Sequence, residues 1–245
     1  MRFPAIALGI IALACAGDPA LAEEVSSTAG AAPPIAAFPA TSPRPIPYLP
    51  ALTGGAAFRL AGASVEPSRA RHHSTVLREV VMAGAAIGAG FLLDDTIEPG
   101  SGEGSAMDNI GQFVGSPYTL GAGAVIMGLG GMATDHPHTV GTAKKILFAI
   151  ATTTVTTGLL KIATDRERPD GSNAYSFPSG HSGASFATAT VLDRRYHSKV
   201  VRWTAYGIAT FVAASRVVGN HHFFSDVVAG AAIGRFYGRL FTMEP

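Results

Sequence analysis

The chain has 245 residues, 47% hydrophobic and 14% charged, enough to bury one substantial core and too apolar for a disordered or fibrous protein. Its formal net charge is +1, which lacks the basic excess of a nucleic-acid-binding surface and leaves nucleic acid a poor partner. The single cysteine, Cys15, rules out an intramolecular disulfide framework and a cysteine-based zinc site.

Residues 1–22 read as a secretory signal. Arg2 gives a weakly positive start, residues 5–14 an apolar stretch, and Ala20-Leu21-Ala22 a small-x-small cleavage site. The mature chain is expected to begin near Glu23, exported to the periplasm or held at a cell-envelope membrane with its active site on the periplasmic side. Lipidation of Cys15 is the competing reading, weakened by Ala12 where a lipoprotein signal usually carries a large aliphatic residue. An uncleaved anchor is another, but the apolar run is shorter than the roughly 20 residues of a spanning helix.

Residues 23–70 are dense in Ala, Pro, Gly, Ser and Thr and read as a linker or extended arm, leaving 71–245 as one domain. Within it, apolar segments at about 76–93, 117–133, 143–164, 182–197, 201–217 and 226–241 predict six helices. The Thr-rich stretch 152–157 suits a strand locally, yet the apolar runs are too long for strands and lack a period of two. The expected fold class is all-α, a bundle of about six core helices. Arg235 and Arg239 interrupt the last segment, threonines the third, and Asp193-Arg194-Arg195 ends the fourth. These interruptions favour a soluble or peripherally attached bundle over one that crosses a bilayer. The abundant Gly and Ala point to close helix packing.

Three clusters carry chemistry. Lys161 and Arg168 are seven residues apart, so on one helix they return to nearly the same face, and Pro169 then turns the chain off that helix. In Pro178-Ser179-Gly180-His181, Ser179 sits where a helix N-cap belongs, so the Gly180 and His181 amides would face outward as an anion site. Ser215-Arg216 is followed by His222 and Asp226, one helical turn apart; the carboxylate can take one ring nitrogen and leave the other's lone pair free. An up-and-down bundle brings all three clusters to one rim. Three cations, helix-terminal amides and two histidines suit an anion whose charge spreads over equatorial oxygens, most simply phosphate.

A Lys, six residues, Arg-Pro; then Pro-Ser-Gly-His; then Ser-Arg, five residues, His, three residues, Asp: this pattern resembles the signature of the type 2 phosphatidic acid phosphatase and haloperoxidase superfamily, with every position filled between 161 and 226. The resemblance implies a metal-independent phosphatase with no cofactor, acting on a lipid phosphate or a small soluble ester. It makes His222 the nucleophile, Asp226 its orienting group and His181 the acid and base. It places Lys161, Arg168, Arg216, Ser179 and Gly180 on the phosphate. The gap of eight residues between Pro169 and Pro178 is shorter than in many members and leaves little loop for a lid. A vanadium-dependent haloperoxidase is the alternative, since vanadate mimics the phosphorane, but those enzymes resemble much longer chains. A non-catalytic membrane or binding protein of the same fold would be expected to have lost one of the histidines.

Other candidates are weaker. Asp135, His136 and His138 read as a solvated loop rather than metal ligands, with Pro137 between the histidines. His72, His73 and His197 read as surface residues, and Asp94, Asp95 and Glu98 as a helix-end turn without the alternating spacing of a calcium loop. His221 neighbours the nucleophile and either tunes it or packs beside it. Tyr175 and Phe177 either shape the leaving-group pocket or pack the loop.

Overall fold

The computed structural model describes residues 67–243, and these form seven helices: α1 (Pro67–Leu93), α2 (Ala106–Gly115), α3 (Pro117–Ala133), α4 (Pro137–Thr164), α5 (Gly180–Tyr196), α6 (Lys199–Val218) and α7 (Phe224–Leu240). No strand occurs among the described residues, as the length of the apolar runs predicts. The expected signal sequence, Cys15, the cleavage site and almost all of the expected arm lie outside the described residues.

One helix more is present than the six read from the sequence. The added element, α2, has ten residues and two glycines, too short and too mixed for a periodic signal. Its caps hold it: Ser105 Oγ accepts from Asp108 N at 3.2 Å, and Ser116 begins α3 with Pro117 in its first turn. The Thr-rich stretch is helical: Thr152 and Thr157 bond back into α4, and Thr156 Oγ1 meets the Tyr237 hydroxyl on α7 at 2.8 Å. Thr142 Oγ1 donates to His138 O and Thr152 Oγ1 to Phe148 O, both at 2.8 Å, so these threonines no longer compete with the helix for backbone partners.

α5 is the central helix, packed by α4, α6 and α7, while α1 lies on α7, α2 on α6 and α3 on α4. One apolar cluster joins α5, α6 and α7 through Phe186, Val217, Phe224 and Val227; a second joins α3, α4 and α5 through Ala124, Ile146, Ile150 and Val191. Phe186 and Phe224 are the largest fully buried side chains; most of the core is Ala, Val and Thr. Small side chains let the helices approach closely.

At the α5–α7 seam backbone meets backbone. A Cβ at Gly230 would lie 2.2 Å from Ser179 O, one at Gly234 2.0 Å from Gly183 O, and one at Gly238 2.9 Å from Ala187 O. The three glycines recur every fourth residue, on one stripe of α7. Gly234→Ala therefore forces backbone from backbone. It is expected to destabilise by about 1–3 kcal/mol or more, read as a drop in melting temperature. Gly207→Ala, in α6 with open space around it, should leave stability level or raise it by up to about 1 kcal/mol.

α4 has 28 residues, about 42 Å, and is long and apolar enough to cross a membrane; most of its apolar stretch faces outward. It extends six residues before the expected start at 143, with Pro137 at its first position. α2 and α3 meet the same test only together, across a 51° bend. The outward side chains include Phe148, Val155, Leu159 and Ile162 on α4 and Val125, Ile126, Leu129 and Met132 on α3.

Candidate active site

α4 stops at Thr164 because Asp165 turns left-handed at φ 45°. Lys161 is thus in the last helical turn, but Arg168 is in the loop beyond, not on the same helix as expected; the residue before a proline avoids helical backbone. The loop bends Arg168 back. Arg168 N donates to Asn173 O at 2.9 Å, and Ser176 N to Arg166 O at 2.9 Å. Lys161 Nζ donates to the carbonyls of Tyr175 at 2.5 Å and Ser176 at 3.3 Å, so it also ties the loop to the helix end.

Ser179 is the N-cap of α5, as read, but its side chain makes no cap bond, and its fully buried Oγ has no partner in the described structure. Its amide donates to Asp226 O at 2.9 Å, which joins the starts of α5 and α7. Gly180 is the first residue of α5, and His181 follows.

The turn after α6 delivers His222. Asn220 adopts φ 63°, and the amides of His221 and His222 both donate to Arg216 O, at 3.0 and 3.2 Å. His222 precedes α7, whose N-cap is Phe223, so His222 and Asp226 do not share a helix as their spacing suggested. Nδ1 of His222 lies 3.5 Å from Asp226 Oδ2, beyond hydrogen-bond length. That carboxylate is occupied elsewhere: Oδ2 accepts from Ser176 Oγ at 2.5 Å and Phe223 N at 2.9 Å, and Oδ1 from Arg166 Nη1 at 2.7 Å.

Charge couples the predicted residues. Burial holds the His222 ring at about 4, well below the ordinary histidine range, with Lys161 and Arg168 pushing the same way and Asp226 opposing them. Burial lowers His181 further, to about 3, helped by Arg216, His222 and Arg168 and opposed by a hydrogen bond to the Gln112 backbone. Burial raises the Asp226 carboxyl, but the facing His222, Ser176 and Arg166 outweigh it and hold the group below its usual value. Both histidines are therefore neutral at pH 7. Arg168 Nε, Arg216 Nε and Ser179 Oγ are buried and lack hydrogen-bond partners in the described structure. Unsatisfied donors at one place call for an acceptor that is not part of the chain.

Several groups at this rim escaped the sequence reading. Asp108, on the unread α2, is buried and accepts from Arg216 Nη1 at 2.9 Å and contacts His221 Nε2 at 3.1 Å. His221 Nδ1 is 3.2 Å from Asp170 Oδ2, so this histidine spans α2 and the loop. Ser105-x-x-Asp108 is a capping-type motif and the signal from which α2 could have been found. Phe177 packs against Phe91 with ring centroids 5.5 Å apart, whereas Tyr175 is 51% exposed at the rim. His136 and His138 lie at the start of α4 and are exposed. His197 ends α5 and is also exposed; the side chains of His72 and His73 fall outside the described ones.

Comparison with known proteins finds likenesses in the same region. A stretch of 82 residues, 33% of this chain, is 43% identical to a lipid A 1-phosphatase of Porphyromonas gingivalis and covers 18% of that protein. A lipid A 1-phosphatase of Rhizobium johnstonii is 33% identical over 113 residues, 39% of this chain and 44% of its own length. A lipid A 4'-phosphatase of Porphyromonas gingivalis is 31% identical over 64 residues, 26% of this chain and 27% of its own. The chain thus spans less than half the length of each of these relatives. No solved structure matches it significantly. The model of the PAP2 superfamily matches residues 142–243, the segment that carries Lys161, Arg168, Ser179, His181, Arg216, His222 and Asp226.

Proposed function

We propose that the protein hydrolyses a lipid-borne phosphate monoester through a phosphohistidine on His222. The observation that carries this reading is the set of buried, unpartnered donors on Arg168, Arg216 and Ser179 beside two neutral histidines. A phosphoryl group would satisfy them, with Lys161 and the Gly180 amide at the α5 start completing the cradle. We assign the catalytic domain to residues 71–245.

In the first step the free Nε2 lone pair of His222 attacks phosphorus. The P–N bond forms as the ester P–O bond breaks, and the leaving oxygen takes a proton from His181. His181 is neutral in the ligand-free site, so its proton must be stabilised by the substrate: a phosphate dianion among the three cations raises its affinity for a proton. Asp226 accepts from Nδ1–H of His222 and steadies the charge that develops on the ring; the 3.5 Å separation shortens as it does so. In the second step His181 removes a proton from water, the hydroxide oxygen bonds to phosphorus, and the P–N bond breaks to release inorganic phosphate. Lys161, Arg168 and Arg216 supply the charge that metal ions provide in many phosphoryl-transfer sites.

Two observations support a lipid substrate over a small soluble ester. Several of the matched relatives are named as lipid A phosphatases, and the outer faces of α3 and α4 are apolar. We place the protein at a cell-envelope membrane with these faces in lipid. The test is phosphate release from phosphatidate or lipid A in mixed micelles and from p-nitrophenyl phosphate, with EDTA present. Preference for micellar lipid and competitive inhibition by vanadate are expected. Release confined to the soluble ester would refute the lipid assignment, and strong inhibition by EDTA the metal-free mechanism.

A further inference from the structure

Arg166 lies inside the first signature cluster, between Lys161 and Arg168, yet it is wired differently from both. Its terminal nitrogens are committed within the protein: Nη1 donates to Asp226 Oδ1 and Ser225 Oγ, both at 2.7 Å, and Nη2 to Asp94 Oδ2 at 2.8 Å. The guanidinium carbon stands 4.2 Å from the Phe223 ring centroid and 5.1 Å from that of Phe91, so the plane is held between two aromatic faces. Asp94, just past the end of α1, is anchored in turn: its Oδ1 accepts from Ser225 N at 2.8 Å and its Oδ2 from Ser225 Oγ at 2.6 Å. With both terminal nitrogens taken, Arg166 is not placed to hold substrate.

We infer that Arg166, clamped by Asp94, is a positioning residue that fixes the Asp226 carboxylate against His222 and balances its charge. Asp226 is fully buried, and a buried carboxylate without a cation beside it would bind a proton or draw one onto His222. Arg166 takes one oxygen of Asp226; the other is left to Ser176, Phe223 N and the His222 ring. Asp94 sets how much of the Arg166 charge Asp226 feels, so the end of α1 reaches the nucleophile through two side chains. The inference rests on the reading of His222 as nucleophile.

The test uses the full-length protein and compares the wild type with Arg166→Gln, Arg166→Lys and Asp94→Asn. It measures the single-turnover rate of phosphoenzyme formation, KM, and the acid limb of the pH profile of kcat/KM. The groups that set that limb are the ones facing His222: Lys161 from α4, Arg168 from the loop, His181 from α5 and Asp226 from α7. Arg166→Gln should slow phosphoenzyme formation by about 10–100-fold, the usual cost of losing an outer-shell partner, with a much smaller change in KM. Arg166→Lys should recover part of the rate, since it restores the charge without the fork. The acid limb should move to higher pH in Arg166→Gln, where Asp226 is less compensated, and to lower pH in Asp94→Asn, where more of the Arg166 charge reaches it.

Shifts of opposite sign are the signature of charge balance, because loss of packing would slow both variants and move neither limb. An unchanged rate and limb in Arg166→Gln, or limbs moving together, would overturn the inference. If Arg166→Gln fails to fold, the Arg166→Lys rate and the Asp94→Asn limb decide the matter alone. A wild type that forms no phosphoenzyme would instead sink the underlying reading of His222.

Discussion

Replacing His222 by alanine is expected to remove the phosphoenzyme altogether and to lower turnover by roughly three orders of magnitude or more, since no other group takes over the bond to phosphorus. His181→Ala should behave differently. With p-nitrophenyl phosphate the leaving group needs little help from an acid, so the first step survives while water attack on the intermediate slows; labelled enzyme should then accumulate. Rapid quench into alkali, where phosphohistidine persists, reads both results. Label retained in His222→Ala would refute the assignment.

The pH dependence follows from the same ring. On the proposed mechanism His222 acts as the neutral form, so the acid limb of kcat/KM should fall only as pH approaches about 4, where the ring takes a proton. Stability should respond earlier. Unfolded histidine binds its proton near pH 6.5 while buried His222 and His181 resist until about 4 and 3, so the unfolded chain holds more protons in between. The fold therefore loses stability as pH falls from about 6.5 toward 4, and vanadate should offset part of that loss.

The second large effect is expected at Asp108. Its pair with Arg216 is buried on both sides, with side-chain exposures of 4% and 3% at 2.9 Å. Asp108→Ala strands a buried guanidinium and a histidine contact together, a change that typically costs about 3–5 kcal/mol. Arg216 would also lose the partner that aims it. Thermal unfolding should register the first loss, and weaker inhibition by vanadate the second. Asp108→Asn keeps the shape and one acceptor, so it should recover more stability than vanadate affinity. Equal recovery of both would mean that Asp108 serves the fold alone.

Most of the residues that meet at this rim were legible before the fold was known, because the three signature clusters are contiguous and their spacings rigid. Helix existence was legible too: α3 to α7 were each anticipated as apolar segments, since long apolar runs without a period of two leave few alternatives. What stayed hidden depended on contacts between distant segments. Arg168 was placed on the helix of Lys161 because spacing alone cannot reveal the left-handed Asp165 that ends it. Asp94 looked like an ordinary turn residue because its partners, Arg166 and Ser225, are 72 and 131 positions away. α2 was missed because its ten residues have no run long enough to show a period, although its cap motif was present. The apolar length of α4 was underestimated because its threonines were counted as interruptions, whereas those at 142, 152 and 157 bond back to their own helix.

The glycine stripe of α7 bears on how such a site diversifies. His181 stands at the start of α5 and His222 just ahead of α7, and between those helices main-chain atoms meet without intervening side chains. The spacing of the two histidines is thus a property of the backbone, insulated from the usual drift of core residues in size. The side chains that would meet the rest of the substrate, those of residues 171–175, are by contrast mostly exposed and can change with less effect on the core. On the proposed function, chemistry and specificity are thereby separable inheritances: one rim can be refitted for a new alcohol while the paired histidines keep their geometry.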